Sequence, residues 1–302
     1  MNLSSLVSKP FRRLQNVAGV DSAEKRISDL EQKVRFLVCE NLRVNQLLRE
    51  LIYVNGLSRS STGSQTKDSF DYQWREVGEG QWMPSNPEFL KQTPDMILER
   101  TQLPADWFPG KRVLDAGCGS GRWTYGLLKL GAHVTCADQS QGALQEVRAL
   151  VKRMGSVEFV HTDLLNLSLP SKPFDLVWSF GVAHHTENLI KAMKNLIEVV
   201  APGGYLFMML YGYPDTIDGF TEQASYEEWR RRLLPLSFAE KVEVLKKHYP
   251  PELVHGYFDA VSPQINDLVT WEWVQWFLQN EGFDSIRRTI DHPNPHFIAR
   301  KR

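Results

Sequence analysis

Cysteine is scarce in this chain, with three among 302 residues, and Cys39, Cys118 and Cys136 show no CxxC spacing. Neither a disulfide framework nor a zinc site is indicated by that pattern, and a reducing, cytoplasmic setting is the expectation. An excess of one charge is also missing: 35 basic side chains stand against 36 acidic ones, a formal net charge of -1. No global field therefore draws the protein to nucleic acid, and a nucleic-acid partner is not favoured. No run approaches the roughly 18 apolar residues that cross a bilayer, so no transmembrane segment is expected. Residues 1–20 carry Lys9, Arg12 and Arg13 without an acid or an apolar centre, and read as a disordered terminus.

What is present begins with a heptad over 21–55. Val20, Ile27, Val34, Asn41 and Leu48 share one position of the repeat, and Ala23, Leu30, Leu37, Val44 and Leu51 another. β-Branched residues at the first position with Leu at the second favour a parallel two-stranded coil, whose register a buried Asn41 would fix. A homodimer through this helix is the expectation, the alternative being a helix packed on its own domain. Residues 56–69, rich in Ser, Gly and Thr, read as a linker.

From Phe70 strand and helix signals alternate: strands at 112–116, 133–138, 157–162, 174–180 and 204–211, with helices at 121–130, 141–153 and 188–200 between them. This pattern predicts an α/β fold with a doubly wound, mostly parallel sheet whose ligands bind at the carboxyl ends of the strands. The alternation stops over 212–268, where a helical insertion is placed to wall or cover the site. A helix at 269–280 and strands at 283–289 and 296–300 complete the pattern. Trp273, Trp276 and Phe277 share a helical face and read as core.

The run Val113-Leu114-Asp115-Ala116-Gly117-Cys118-Gly119-Ser120-Gly121 joins a buried strand to a helix start, where glycines let the backbone approach a ligand and free amides face it. A dinucleotide fingerprint would place its last glycine one residue later. Asp115, just before the first glycine, faces a cation rather than a phosphate, and is placed to hold an ammonium group. Asp138 ends the next strand, where a carboxylate can accept both ribose hydroxyls. Asp163, past the third strand, is placed to accept from an adenine amino group, and Ser179 to Val182 closes the fourth strand beside it.

The segment from about Phe70 to Arg300 resembles the class I, seven-stranded S-adenosylmethionine-dependent methyltransferases. Asp115 to Gly121 matches that family's glycine motif, Asp138 its ribose acid, Asp163 its adenine acid, and Ala201-Pro202-Gly203-Gly204 the turn before its fifth strand. The resemblance implies S-adenosylmethionine as cofactor, held by Asp115, Gly117, Gly119, Gly121, Asp138, Gln139, Asp163, Leu164, Ser179 and Gly181. It also implies a last strand antiparallel to the others. Gly181 to Thr186, and more loosely Phe70 to Trp74 and His255 to Asp259, are similar to members acting on small molecules and glycans.

An oxygen nucleophile must lose a proton, and His184 or His185, after the fourth strand, is the candidate base; the alternative is a histidine that caps backbone or packs on the cofactor. Tyr211, His255 and Tyr257 are candidate substrate contacts, and no metal is implied. The fourth strand ends Ser179-Phe180-Gly181-Val182 rather than in an Asn-Pro-Pro-Tyr loop, which favours a small-molecule or glycan-linked oxygen acceptor. Two rival readings stay open, a nicotinamide-dependent oxidoreductase and a non-catalytic coiled-coil assembly protein with a degenerate domain.

Overall fold

The computed structural model describes residues 20–55, 59–77, 80, 83–170, 173–214 and 216–302. The terminus expected to be disordered thus lies, but for Val20, outside the described residues. The chain divides into two compact units between Leu51 and Ile52. The first contributes helix α1 (Val20–Val54), which continues three residues past the boundary. Along it Ile27, Leu30, Val34, Leu37, Val44, Leu48 and Leu51 are exposed in the single chain.

The second unit holds α2 (Ser60–Glu76), α3 (Pro87–Thr101), β1 (Arg112–Ala116), α4 (Arg122–Lys129), β2 (His133–Asp138), α5 (Gln141–Leu150), β3 (Val157–His161), β4 (Phe174–Phe180), α6 (Leu189–Glu198) and β5 (Val200–Met209). After these come α7 (Ile217–Leu233), α8 (Phe238–His248), α9 (Pro251–Val261), α10 (Trp271–Asn280), β6 (Phe283–Ile290) and β7 (His296–Lys301). The seven strands form one sheet in the order β3-β2-β1-β4-β5-β7-β6. Neighbours from β3 to β5 pair parallel, and β7 runs antiparallel to both β5 and β6. The order reverses between β1 and β4, which opens the crevice in which such sheets bind ligands.

Alternation along each strand sends side chains to two cores. Leu114, Val177 and Leu206 pack on α6 and α10, while Val113, Leu176 and Phe207 face α3, α4 and α5. Helix α6 shows why: Leu189, Ile190, Met193, Leu196 and Ile197 make one apolar stripe, and the Asn188 side chain caps the start by accepting from the Lys191 N–H at 3.0 Å. Fully burying each large aliphatic chain of that stripe contributes about 1.5–3 kcal/mol. The insertion builds a small core of its own around Leu233, Leu245, Val254 and Phe258. Among the described residues no helix is long and apolar enough to cross a membrane.

Three expectations need correction. Residues 60–69 are the first turns of α2 rather than linker, because tertiary bonds supply what composition does not: Ser69 Oγ meets Ser262 Oγ at 2.7 Å, Gln65 donates to the Ser262 carbonyl at 2.9 Å, and Thr66 Oγ1 accepts from the Ile265 N–H at 3.1 Å. The Ala201-Pro202-Gly203-Gly204 turn falls inside β5 as a bulge, since Phe174 pairs with Val200 and Leu176 next with Tyr205. Trp276 is 54 % exposed, while Trp273 and Phe277 are buried.

Candidate functional site

At the carboxyl end of β1 the chain turns through Gly117 (φ +79°) and Gly119 (φ +52°) before α4 begins. Both positions need glycine twice over. Their backbone is left-handed, and an added Cβ would stand 2.5 Å from Val182 at Gly117 and 2.7 Å from the Trp74 ring at Gly119. A cavity lies over the strand ends, which Gly117, Gly119, Asp138, Gln139, Asp163, Leu164 and Gly181 line on one side. Asp138 is drawn into the loop: its Oδ2 accepts the Gly119 N–H at 2.9 Å and its Oδ1 the Ser140 N–H at 2.8 Å. Burial pushes its carboxyl up despite these bonds.

Asp163 also faces the cavity, though not as a free acceptor. Its Oδ1 takes the Leu165 N–H at 2.8 Å and its Oδ2 pairs with the Lys67 ammonium. Past β4 a short 3-10 turn carries both histidines, and their hydrogen bonds separate them. The Nδ1 of His185 lies 2.8 Å from the Ile265 carbonyl, so that nitrogen holds the proton and donates. The Nε2 of His185 then carries the lone pair, is buried, and has no partner. The Nδ1 of His184 instead accepts the Tyr211 N–H at 3.3 Å, which leaves the proton on Nε2. His185 lines the cavity, whereas His184 is fully buried beneath it with its ring stacked on Tyr211 at 3.9 Å. Burial lowers the pKa of both imidazoles.

The remaining walls come from α2 and the insertion. Gly63, Lys67, Phe70 and Trp74 follow one another at steps of four, three and four, so one face of α2 spans the cavity. Arg59 anchors that helix by a two-pronged pair with Asp267, at 3.0 and 2.8 Å, and by bonds to the Glu187 and Thr186 carbonyls. Tyr211 and His255 are at the wall as expected, joined by Asp259, Arg122, Trp123 and Met209.

Five expected site residues do not reach the cavity. Asp115 is 1 % exposed and takes the Thr124 hydroxyl at 2.6 Å, because its side chain turns into the β1–α4 packing rather than toward the ligand space. Desolvation pushes its carboxyl up to about 7, with Asp138 nearby adding to the effect. Gly121 caps α4 against Val147, Ser179 donates to the Ala116 carbonyl at 3.1 Å, His184 serves as support for Tyr211, and Tyr257 stacks on Tyr249 at 3.6 Å. Sequence reasoning missed the α2 stripe, whose spacing was readable, together with Arg122 and Trp123 directly after the glycine loop and Asp259 at the end of a motif already noted.

Residues 114–208 match the family model described as a methyltransferase domain. The chain is 30 % identical over 160 residues to a probable tRNA methyltransferase 9B of Homo sapiens, covering 51 % of this chain and 34 % of that protein. It is 36 % identical over 106 residues to a demethylmenaquinone methyltransferase of Clavibacter sepedonicus (35 % and 43 %). It is 29 % identical over 188 residues to a trans-aconitate 2-methyltransferase of Rhodopseudomonas palustris strain BisA53 (60 % and 66 %). The match spans less than half the length of the first two relatives.

Proposed function

We propose, from a chain that carries a methyltransferase domain at residues 114–208, that it transfers the methyl group of S-adenosylmethionine to an oxygen of a small-molecule or glycan-linked acceptor. The observation that carries this reading is that His185, whose Nε2 has no partner among the described residues, lines the same cavity as Gly117, Gly119 and Asp138. The residues fit the cofactor. Gly117 and Gly119 line the cavity in a left-handed backbone, with no space for a Cβ against Val182 and Trp74, and Asp138 keeps lone pairs on both oxygens for ribose hydroxyls beyond the two amides it already accepts.

When bound, S-adenosylmethionine supplies a methyl group already activated on a sulfonium. The protein is left with orientation and one proton. His185 suits the second task, because Ile265 fixes its tautomer and burial keeps it neutral, which is the form a base requires. Phe70, edge-on to His185 with ring centroids 4.8 Å apart, holds the imidazole from the α2 side. The balanced charge of the chain supports a small acceptor over a polyanion, and its sparse cysteines support a cytoplasmic enzyme. The exposed heptad face of α1 supports self-association as a parallel dimer, with Asn41 pairing across the seam.

Methyl-labelled S-adenosylmethionine offered with hydroxyl, amine and RNA acceptors tests the reading. Label entering hydroxyl compounds, with S-adenosylhomocysteine released in equal amount, is the expected result; label confined to RNA or amines would displace the oxygen assignment.

A further inference from the structure

One carboxylate on the insertion side of the cavity acts on four of its polar groups. Asp259 projects from α9, and its Oδ2 accepts the Tyr211 hydroxyl at 2.8 Å. Its charge acts on Arg122, His185, Tyr211 and His255 together. Burial pushes the Tyr211 hydroxyl well above its ordinary pKa, so the phenol stays protonated and remains the donor of that bond. Tyr211 in turn lies edge-on to His185, ring centroids 5.2 Å apart, and places the carboxylate on the His185 side of the cavity.

The other charged groups around His185 are already engaged. Asp267, from the segment before α10, is held by the Arg59 guanidinium. Arg230, from α7, opposes a positive imidazole, and its guanidinium donates to the Ala260 carbonyl and pairs with Glu227. His184, on the same turn, is neutral. Asp259 is bonded to a neutral phenol, and its charge acts on both the Arg122 guanidinium and His185, whereas Asp267 is held in a two-pronged pair by Arg59.

We propose that Asp259 is a positioning residue that compensates the positive charge His185 acquires on taking the acceptor's proton. This rests on the reading of His185 as base. In the step, the acceptor O–H bond breaks with its proton passing to Nε2, and an oxygen electron pair forms the new O–CH3 bond. The C–S pair returns to sulfur, so positive charge leaves the sulfonium and ends on the imidazolium. Without the Asp259 carboxylate, a buried imidazolium is left with the Ile265 carbonyl and an Asp267 already paired with Arg59.

Nuclear magnetic resonance of full-length protein with labelled histidine, titrated without cofactor and assigned by loss of the signal in H185A, tests this directly. Asp259→Asn should move the His185 midpoint to lower pH, and Asp259→Glu should restore it. Tyr211→Phe, which keeps the carboxylate and the ring stack, should move the midpoint up, and it provides the reading if Asp259→Asn does not fold. Equal midpoints in all variants, or an imidazole that stays neutral in all of them down to acid unfolding, overturns the proposal. The titration needs no methyl transfer: shifted midpoints in a protein without activity would sink the proposed function alone. In an active enzyme, Asp259→Asn should lower kcat about tenfold and leave KM for S-adenosylmethionine unchanged.

Discussion

Two buried aspartates on adjacent strands answer to different forces, and the difference is measurable. Asp138 lines the cavity, so removing it deletes hydrogen bonds to a ligand; each bond to a charged acceptor contributes about 1.5–3 kcal/mol. Asp138→Ala should therefore weaken S-adenosylhomocysteine by roughly 100-fold or more. Asp115 bears on stability instead. Its folded carboxyl ionises near 7 against an ordinary 3.8, so ionisation is harder in the native state than in the unfolded one. Native stability is accordingly lost as pH rises from the unfolded value through about 7, and the loss is complete above it. Melting scans of Asp115→Asn against the parent should diverge in that window, the variant gaining as pH rises from 5 to 8. A constant difference across it would refute the burial argument. For His185→Ala, turnover should fall by about 10²–10⁴ while calorimetric cofactor affinity holds, the signature of a lost base.

These assignments were partly legible beforehand. The glycine loop and Asp138 are local signals, set by a strand end and the turn after it. The orientation of Asp115 was hidden because it depends on Thr124, nine residues away on the next helix. The two histidines were indistinguishable as letters. Only the Ile265 carbonyl and the Tyr211 amide, both distant in sequence, give the two rings different tautomers.

At the scale of elements, α2 shows most plainly how tertiary contact overrides composition. Ser60, Ser61, Thr62, Gly63 and Ser64 favour neither burial nor helix, yet Arg59 at the start and Trp74 near the end both bind the rest of the fold. Arg59→Ala should raise hydrogen exchange across residues 60–76 while exchange in β1 and β4 stays unchanged; uniform exchange would show that the pair with Asp267 does not anchor the helix. A second helix, α3, was not expected from the sequence, and it holds Pro94 in its interior. The proline leaves the Leu90 carbonyl without its amide, and the Thr93 hydroxyl donates there at 2.7 Å. Helix α3 then packs so closely on α4 that a Cβ at Gly126 would meet Ile97 at 2.7 Å.

Across the whole molecule, the sheet was the most legible feature, since short apolar strands covered on both faces alternate with helices over many residues. The antiparallel β7 came from family resemblance rather than from periodicity. Its pairing with β5 and β6 completes a sheet whose order reverses beside the glycine loop. Self-association belongs to this scale as well. If α1 pairs with a second copy, sedimentation of the full chain should give twice the mass of one chain, and removal of residues 1–51 should give a monomer; a full-length monomer would retire that role for the heptad.

Gly117, Gly119 and Asp138 form the centre of the proposed cofactor site. Titration calorimetry of the full-length protein with S-adenosylhomocysteine, run beside NAD and repeated on Asp138→Ala, addresses it most directly. Binding of the first ligand alone, lost in the variant while the melting transition remains cooperative, is the predicted result. No binding to the parent protein, a preference for NAD, or equal affinity in the variant would contradict it.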